Sequence, residues 1–87
     1  MDTSGIPVLK VSLVDDDPVM RSLIEGLLRS VPGFSLLSSY ASAEELFHRL
    51  PAQVPDILLV DVILPRINGI EVVQWVSRWH PSVQSQC

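Results

Sequence analysis

Carboxylates follow two apolar segments of this sequence, at the points where those segments end. Asp15, Asp16 and Asp17 come directly after VLKVSLV, and Asp61 comes directly after ILLV. Carboxylate oxygens suit hard cations, and Mg²⁺ is commonly held by one or two carboxylates together with waters and a substrate phosphate. A carboxylate beside such an ion can also attack a phosphoryl group and form an aspartyl-phosphate. If the two segments lie side by side, these acids predict a metal or phosphoryl site.

Each acid also has a simpler interpretation, because aspartate often caps helices and starts turns. For Asp17, which precedes Pro18, we prefer the role of helix N-cap. Asp61 taken alone is more typical of a turn than of a nucleophile. Asp15 and Asp16 taken together with Asp61 leave a turn and a metal or phosphoryl site equally open.

Hydrophobic periodicity predicts three strands and three helices that alternate along the chain. The strands are expected at 8–14, 34–40 and 57–60, and the helices at 18–30, from a capping box at Ser42 through Leu50, and at 70–79. Alternation of this kind predicts an α/β fold with a parallel sheet and helical crossovers. The run at 57–60 is consistent with a strand buried on both faces. In such sheets ligands bind outside the carboxyl ends of the strands, which is where the acids lie.

Composition indicates one small packed domain. The chain has 87 residues, of which 47% are hydrophobic, and a net charge of −4. The lack of a basic patch argues against nucleic-acid binding by this chain. The sequence shows no signal peptide and no apolar run approaching about 18 residues, and its single cysteine, Cys87, fits a reducing cytoplasm. We therefore expect a cytoplasmic protein without membrane contact, with an N-terminal tail at 1–7 and one domain at 8–87.

Two stretches resemble a known family. LVDDDPVMRSLIEGLL resembles the opening of the receiver domain of bacterial two-component response regulators. PDILLVDVILPRINGIEVV is similar to the phosphoacceptor segment of that family, with Asp61, Leu64, Pro65 and Gly69 at the motif positions. The resemblance runs from about Val8 to Val83. The overall sequence pattern is most similar to that of receivers that precede a helix-turn-helix DNA-binding domain. It implies a flavodoxin-like, doubly wound parallel sheet with strand order 2-1-3.

The resemblance also implies roles for individual residues. Asp61 would accept a phosphoryl group from a histidine kinase. Mg²⁺ would be held directly by Asp16 and partly through water by Asp15, with further ligands from Asp61 and the backbone carbonyl of Ile63. Pro65 and Gly69 would shape the loop, with Gly69 relieving a strain that a β-carbon would create.

The chain departs from the family pattern after the third helix. A complete receiver has five strands and five helices, so the resemblance is to a C-terminally truncated receiver that lacks the last two strand–helix units. The family's later threonine or serine, aromatic switch residue and lysine are not matched, since the only threonine is Thr3 and the only lysine is Lys10. Ser82 and Ser85 come too early to be that hydroxyl. We therefore expect impaired switching, an exposed third-strand edge, and a sheet face without its C-terminal helix.

Two other functions compete with the phosphoacceptor interpretation. A non-switching receiver would bind a kinase, or another receiver through the exposed sheet edge or apolar face, without transmitting a signal. A variant of this alternative is a fragment without function. An Mg²⁺-dependent phosphohydrolase of the haloacid dehalogenase kind would use the D-x-D spacing at residues 15–17, but the chain has no room for the remainder of that site. We expect that the chain is not an enzyme.

The tryptophans, the histidines and one loop arginine have simple structural explanations. Trp75 and Trp79 share a helix face and are expected to lie partly on the surface, with a protein contact as the alternative. His48 and His80 have no second ligand at metal spacing and are expected at the surface. Arg66, in the loop after Asp61, is expected to be solvated, although it could meet a phosphate.

Overall fold

The computed structural model describes residues 7–87. Three helices and four strands follow one another in the order β1 (Leu9–Val14), α1 (Pro18–Ser30), β2 (Phe34–Tyr40), α2 (Ala43–Arg49), β3 (Ile57–Val60), α3 (Gly69–Trp79) and β4 (Gln84–Gln86). The strands form one parallel sheet in the order β2-β1-β3-β4, which confirms the predicted α/β class and the predicted 2-1-3 order. The predicted N-terminal tail at 1–7, including Thr3, lies outside the described residues except for Pro7.

Strands β1 and β3 are hydrogen-bonded neighbours at the centre of the sheet. Their register runs from Val11 opposite Ile57 to Val14 opposite Val60. Because the two strands are parallel and end opposite each other, the residues that follow them emerge at the same edge of the sheet. The condition set by the sequence for a shared acidic site is therefore met.

The expectation that β3 forms an exposed edge is wrong, because β4 pairs with it. Gln84 lies opposite Ile57, and Gln86 lies opposite Leu59. Side-chain patterning gave no sign of this strand, since it is short and polar. Its ladder is made by backbone groups, and the buried side chain of Val83 anchors its start in the core.

The main core lies on the face of the sheet covered by α2 and α3. Val14, Leu58 and Val60 point into this face. They pack against the apolar sides of the two helices, which contribute Leu46, Val72 and Val76 among others. Leu58 and Val60 are buried, whereas Ile57 and Leu59 on the opposite face are only half-buried. The prediction of a strand buried on both faces therefore holds for one face only.

The opposite face carries one helix, α1, which lies against β2 and β1. None of its 13 residues is fully buried against the described part of the chain. Val19, Leu23 and Leu27 are exposed although they recur at helical spacing. The outward apolar side of α1 is therefore uncovered within the described residues.

Each helix begins at a side chain that accepts hydrogen bonds from its first turn. Asp17 accepts from the N–H groups of Val19 and Met20, which confirms its predicted role as an N-cap. Ser42 and Asn68 cap α2 and α3 in the same way. Among residues 7–87, no helix combines the length and apolar character needed to cross a membrane.

The two tryptophans on α3 have different surroundings. The ring of Trp75 lies 4.4 Å from that of Phe47 and 5.9 Å from that of His80, measured between centroids, and the residue is half-buried. Trp79 is exposed, with the Arg78 guanidinium over its ring. His48 is at the surface as expected, whereas His80 is half-buried because of its contact with Trp75.

Candidate functional site

The carboxylates of Asp15, Asp16 and Asp61 converge at the carboxyl ends of β1 and β3. Each offers one oxygen, and these oxygens all lie within 4.8 Å of one another. Backbone hydrogen bonds continue the sheet by one residue and hold two of the acids in place. The Asp61 N–H donates to the Val14 carbonyl at 2.9 Å, and the Asp15 N–H donates to the Tyr40 carbonyl at 3.0 Å. The sheet itself therefore brings the acids together.

The cluster is buried on one side and open on the other. Asp15 is only 6% exposed, Asp61 is half-buried and Asp16 is exposed. One oxygen of Asp15 accepts a hydrogen bond of 2.9 Å from the Asp17 N–H, which fixes the orientation of its carboxylate. An ion or phosphoryl group can therefore approach from the side of Asp16 while Asp15 forms the floor.

The three carboxylates have no cationic partner among residues 7–87. Arg21 donates to the backbone carbonyl of Asp15 at 2.8 Å and forms the one ion pair of the described residues with Glu25 at 3.9 Å. Like charges at such short distances repel one another. Three oxygen donors with uncompensated negative charge are the chemistry that suits a hard divalent cation such as Mg²⁺, so this cluster fits that group.

The backbone after Asp61 folds back onto its carboxylate. The Ile63 N–H donates to Asp61 Oδ1 at 3.1 Å, and the Ile63 side chain is 81% exposed. This contact places the Ile63 backbone beside the cluster. Its role as a carbonyl ligand stays a prediction.

Gly69 is required by a close approach between two backbone segments. Its N–H donates to the Val62 carbonyl at 2.8 Å. A β-carbon at this position would lie 2.8 Å from Val62 Cα and closer still to the Asp61 carbonyl oxygen. Side-chain carbons do not occur at such distances, so only glycine lets the start of α3 lie against the phosphoacceptor candidate.

The loop between Asp61 and α3 is held by one buried side chain and one tight turn. Leu64 is buried, and the exposed Pro65 accepts a hydrogen bond from the Ile67 N–H at 2.8 Å. Arg66 is solvated, as predicted, and has a φ of 72°, in the left-handed region that favours glycine. The composition of the loop did not predict this backbone conformation at Arg66.

A cavity that sequence reasoning missed borders the acidic cluster. It has a volume of about 240 Å³ and lies between α1 and the β3–β4 side of the sheet. Leu13, Ile24 and Leu59 form its apolar walls, and Asp15 and Asp61 lie at its rim together with Gln86 and Cys87. The alternation of side chains along β1 and β3 was the signal that could have placed Leu13 and Leu59 on this face.

Ser85 and Lys10, which do not match the family's hydroxyl and lysine, both lie away from the cluster. Ser85 is opposite Leu58, three residues before Asp61 and roughly 10 Å along the strand. Its Oγ is buried and finds no hydrogen-bond partner among residues 7–87. Lys10 lies near the start of β1, at the opposite end of the strand, where its N–H donates to Asp56.

Comparisons with known proteins agree with this geometry. The family model described as "Response regulator receiver domain" matches residues 11–85. Response regulator GacA of Pseudomonas syringae pv. syringae (strain B728a) is 31% identical over 77 residues, which cover 88% of this chain and 36% of GacA. A protein-glutamate methylesterase/protein-glutamine glutaminase of Geobacter metallireducens is 30% identical over 74 residues, 85% of this chain and 21% of that protein. The chain thus spans well under half of these two curated relatives.

A solved structure shows the same fold. The isolated REC domain of RcsB from Salmonella enterica serovar Typhimurium, determined in the presence of phosphomimetic BeF₃⁻, superimposes with a TM-score of 0.83. The match covers 90% of this chain and 59% of that one, at 21% sequence identity.

Proposed function

The chain belongs to the response regulator receiver domain family, and on that premise we propose that Asp61 accepts a phosphoryl group from a histidine kinase while Asp15 and Asp16 hold Mg²⁺. The observation that carries this proposal is the convergence of the three carboxylates within 4.8 Å at the carboxyl ends of two neighbouring strands. A turn former would explain any one of these acids. It does not explain why three of them lie together, open to solvent on one side.

The transfer is a nucleophilic displacement at phosphorus. The Ile63 N–H holds Asp61 Oδ1 at 3.1 Å, which leaves Oδ2 as the attacking oxygen. A bond forms between this oxygen and phosphorus while the phosphorus–nitrogen bond of the phosphohistidine breaks. The bonding electron pair leaves with the imidazole nitrogen, which takes a proton from solvent. When bound, Mg²⁺ supplies neutralising charge for the phosphoryl oxygens.

Each nearby residue has a distinct task in this proposal. Asp15 is buried and fixed by the Asp17 N–H, so it would hold the ion from a fixed position. Asp16 is exposed and can adjust to the ion, and the backbone carbonyl of Ile63 would add a further oxygen. Pro65 and Gly69 would keep the loop close enough to Asp61 for this arrangement.

Incubation of the chain with Mg²⁺ and acetyl phosphate tests the proposal. Intact mass spectrometry should show the addition of one phosphoryl group, and Asp61→Asn should abolish it. Asp17→Asn is the matched control, because it removes a neighbouring carboxylate while asparagine keeps the helix cap. No added mass, or an addition that survives Asp61→Asn, would refute the assignment of Asp61.

We propose further that phosphorylation changes the conformation of this chain little. The supporting observation is that Ser85 and Lys10, neither of which matches the family's hydroxyl or lysine, lie away from Asp61. A new phosphoryl charge would then find few partners whose movement could report it. Hydrogen exchange before and after phosphorylation should differ only around residues 61–69, whereas a change spreading to β4 would contradict impaired switching.

A non-switching interaction module is the second candidate, favoured by the same separation of Ser85 from Asp61. It predicts that histidine kinase binding is unchanged by Asp61→Asn. Loss of kinase binding in that variant would count against it.

We propose that the chain itself is not an enzyme. The methylesterase relative matches over only 21% of its own length, so that activity belongs to that protein as a whole. Steady turnover of methyl esters or generic phosphate esters would contradict this. The proposal places the chain in the cytoplasm, where its single cysteine would stay reduced.

A further inference from the structure

Three hydrogen bonds hold Asp15, which forms the floor of the acidic cluster. Its N–H donates to the Tyr40 carbonyl of β2 at 3.0 Å, and its Oδ1 accepts from the Asp17 N–H at 2.9 Å. Its carbonyl accepts from Nη1 of Arg21, a residue of α1, at 2.8 Å. Because Asp15 is only 6% exposed, these contacts fix the residue and leave its other carboxylate oxygen, Oδ2, to face an ion.

Arg21 replaces a backbone donor that the sheet does not provide. Since the Asp15 N–H donates to Tyr40, a continued parallel ladder would have the N–H of the residue two places after Tyr40 donate to the Asp15 carbonyl. That residue is Ser42, but β2 ends at Tyr40 and Ser42 caps α2 instead. A buried carbonyl without a donor is unfavourable. The guanidinium of Arg21 supplies the donor, so a side chain of α1 completes the pairing at the end of β1.

The guanidinium of Arg21 is itself held on its other side. Glu25, one turn later in α1, has an oxygen 3.9 Å from Arg21 Nε. The hydroxyl of Ser39, in β2, donates a hydrogen bond of 2.6 Å to the same oxygen. The side chains of Arg21 and Glu25 are 23% and 21% exposed, so both are largely shielded from solvent. These contacts form a chain that runs from Ser39 through Glu25 and Arg21 to Asp15.

We propose that Arg21 is a positioning residue for Mg²⁺ binding, because it fixes Asp15 from a place on α1 that Glu25 and Ser39 maintain. This role rests on the proposed function, since it assumes that Asp15 holds the ion. Among residues 7–87 the guanidinium contacts the carbonyl of Asp15 and not its carboxylate, and Glu25 balances its charge. The cluster therefore keeps its negative charge for the ion. Loss of a partner that orients a metal ligand typically weakens metal affinity about 10–100-fold.

Position and charge predict opposite effects when Arg21 is replaced by a neutral residue. If Arg21 only added a positive charge near the cluster, its removal would strengthen Mg²⁺ binding, because like charges repel. If it only stabilised the fold, its removal would lower the melting temperature and leave the Mg²⁺ dissociation constant of the folded chain unchanged. A positioning residue differs from both, since its removal weakens Mg²⁺ binding by the folded chain.

Titration with MgCl₂, followed by the amide NMR shifts around Asp15 and Asp61, measures this dissociation constant without phosphoryl transfer. Arg21→Met should raise it about tenfold. Arg21→Lys keeps the charge and a donor, so its constant should lie between those of Arg21→Met and the wild type. Arg29→Met is the matched control, because it removes the same charge from an exposed position about 12 Å further along α1. It should bind Mg²⁺ no more weakly than the wild type.

Ser39→Ala gives a second measurement that changes no charge. It removes the hydroxyl that holds Glu25, so it should raise the Mg²⁺ dissociation constant roughly threefold. If Arg21→Met does not fold, Ser39→Ala decides, and unchanged binding in that variant would overturn the proposal. Unchanged or tighter binding by folded Arg21→Met, or an equal loss in Arg29→Met, would also overturn it while leaving the proposed metal site intact. A wild-type chain that does not bind Mg²⁺ would refute the metal site and the role of Arg21 together.

Discussion

The two faces of the sheet differ in how completely the chain covers them. On one face α2 and α3 enclose Leu46, Leu58 and Val76, which are all fully buried. On the other, α1 lies alone and keeps Leu23 and Leu27 in solvent. Both faces have helices with clear hydrophobic periodicity, so periodicity reports that a helix has an apolar side and does not report that this side is covered.

The acidic site lies at the boundary between these faces. Asp61 follows β3, whose residues Leu58 and Val60 are buried in the core on the face covered by α2 and α3. The cavity on the opposite face reaches Asp61 from the other side. The closed face therefore gives the site its rigidity, and the open face decides what else can approach it. Differences in stability between the two faces can be measured directly.

The largest difference is expected for leucine-to-alanine substitution on the two faces. Leu46→Ala empties a fully buried position in α2 and should destabilise the chain by about 2–5 kcal/mol, through lost burial and the cavity left behind. Leu27→Ala, at a position of α1 that is 63% exposed, should change stability by about 0.5 kcal/mol or less. Urea unfolding at low protein concentration measures both.

A loss of this size is comparable to the whole stability expected for so small a domain. Leu46→Ala can therefore be unfolded even without denaturant, and that result would agree with the large destabilisation expected for this variant. Equal effects of the two substitutions would show that α1 is covered after all, and the contrast between the faces would fail.

Glycine-to-alanine substitution should change the free energy of unfolding in opposite directions on the two faces of the sheet. Gly69→Ala brings a methyl group against the backbone of Asp61 and Val62 and should destabilise by about 1–3 kcal/mol. Gly26→Ala, in the middle of α1, meets no atom within 4 Å and should stabilise by up to about 1 kcal/mol through helix propensity. Thermal unfolding of both variants measures this, and destabilisation by Gly26→Ala would contradict the open surroundings of that position.

Much of the local structure was predictable because it depends on neighbours in sequence. Asp17, Ser42 and Asn68 start the helices from their own side chains, and strand β2 spans the predicted residues 34–40. The acidic cluster could be predicted because two local facts, a strand end and an acid, combine with the general geometry of parallel sheets.

The remaining features depend on contacts that are distant in sequence or made by the backbone. Strand β4 has polar side chains and forms through backbone pairing with β3, so the prediction of an exposed β3 edge was wrong. The need for glycine at position 69 arises from the Asp61 backbone, which no local pattern encodes. The metal and phosphoryl roles of Asp15, Asp16 and Asp61 stay predictions that the proposed phosphorylation experiment addresses.

The smallest effects on stability are expected at two loop residues whose φ lies in the left-handed region, one after α1 and one before α3. The turn after α1 has Gly33 at a φ of 94°, whereas the loop before α3 has Arg66 at a φ of 72°. The left-handed conformation costs a non-glycine residue roughly 1 kcal/mol, and glycine loses part of that advantage because it is freer in the unfolded chain. Arg66→Gly should therefore stabilise the chain by about 0.5 kcal/mol.

Gly33→Ala is the reciprocal change and should destabilise by about 0.5–1 kcal/mol, since its β-carbon would meet no neighbouring atom within 4 Å and only the backbone conformation opposes it. Urea unfolding of the two variants side by side measures the pair. If Arg66→Gly were destabilising, the Arg66 side chain would have to make a contact worth more than the conformational strain. That contact would contradict the solvated position of Arg66 and would show that this side chain, like the buried Leu64, holds the loop beside Asp61.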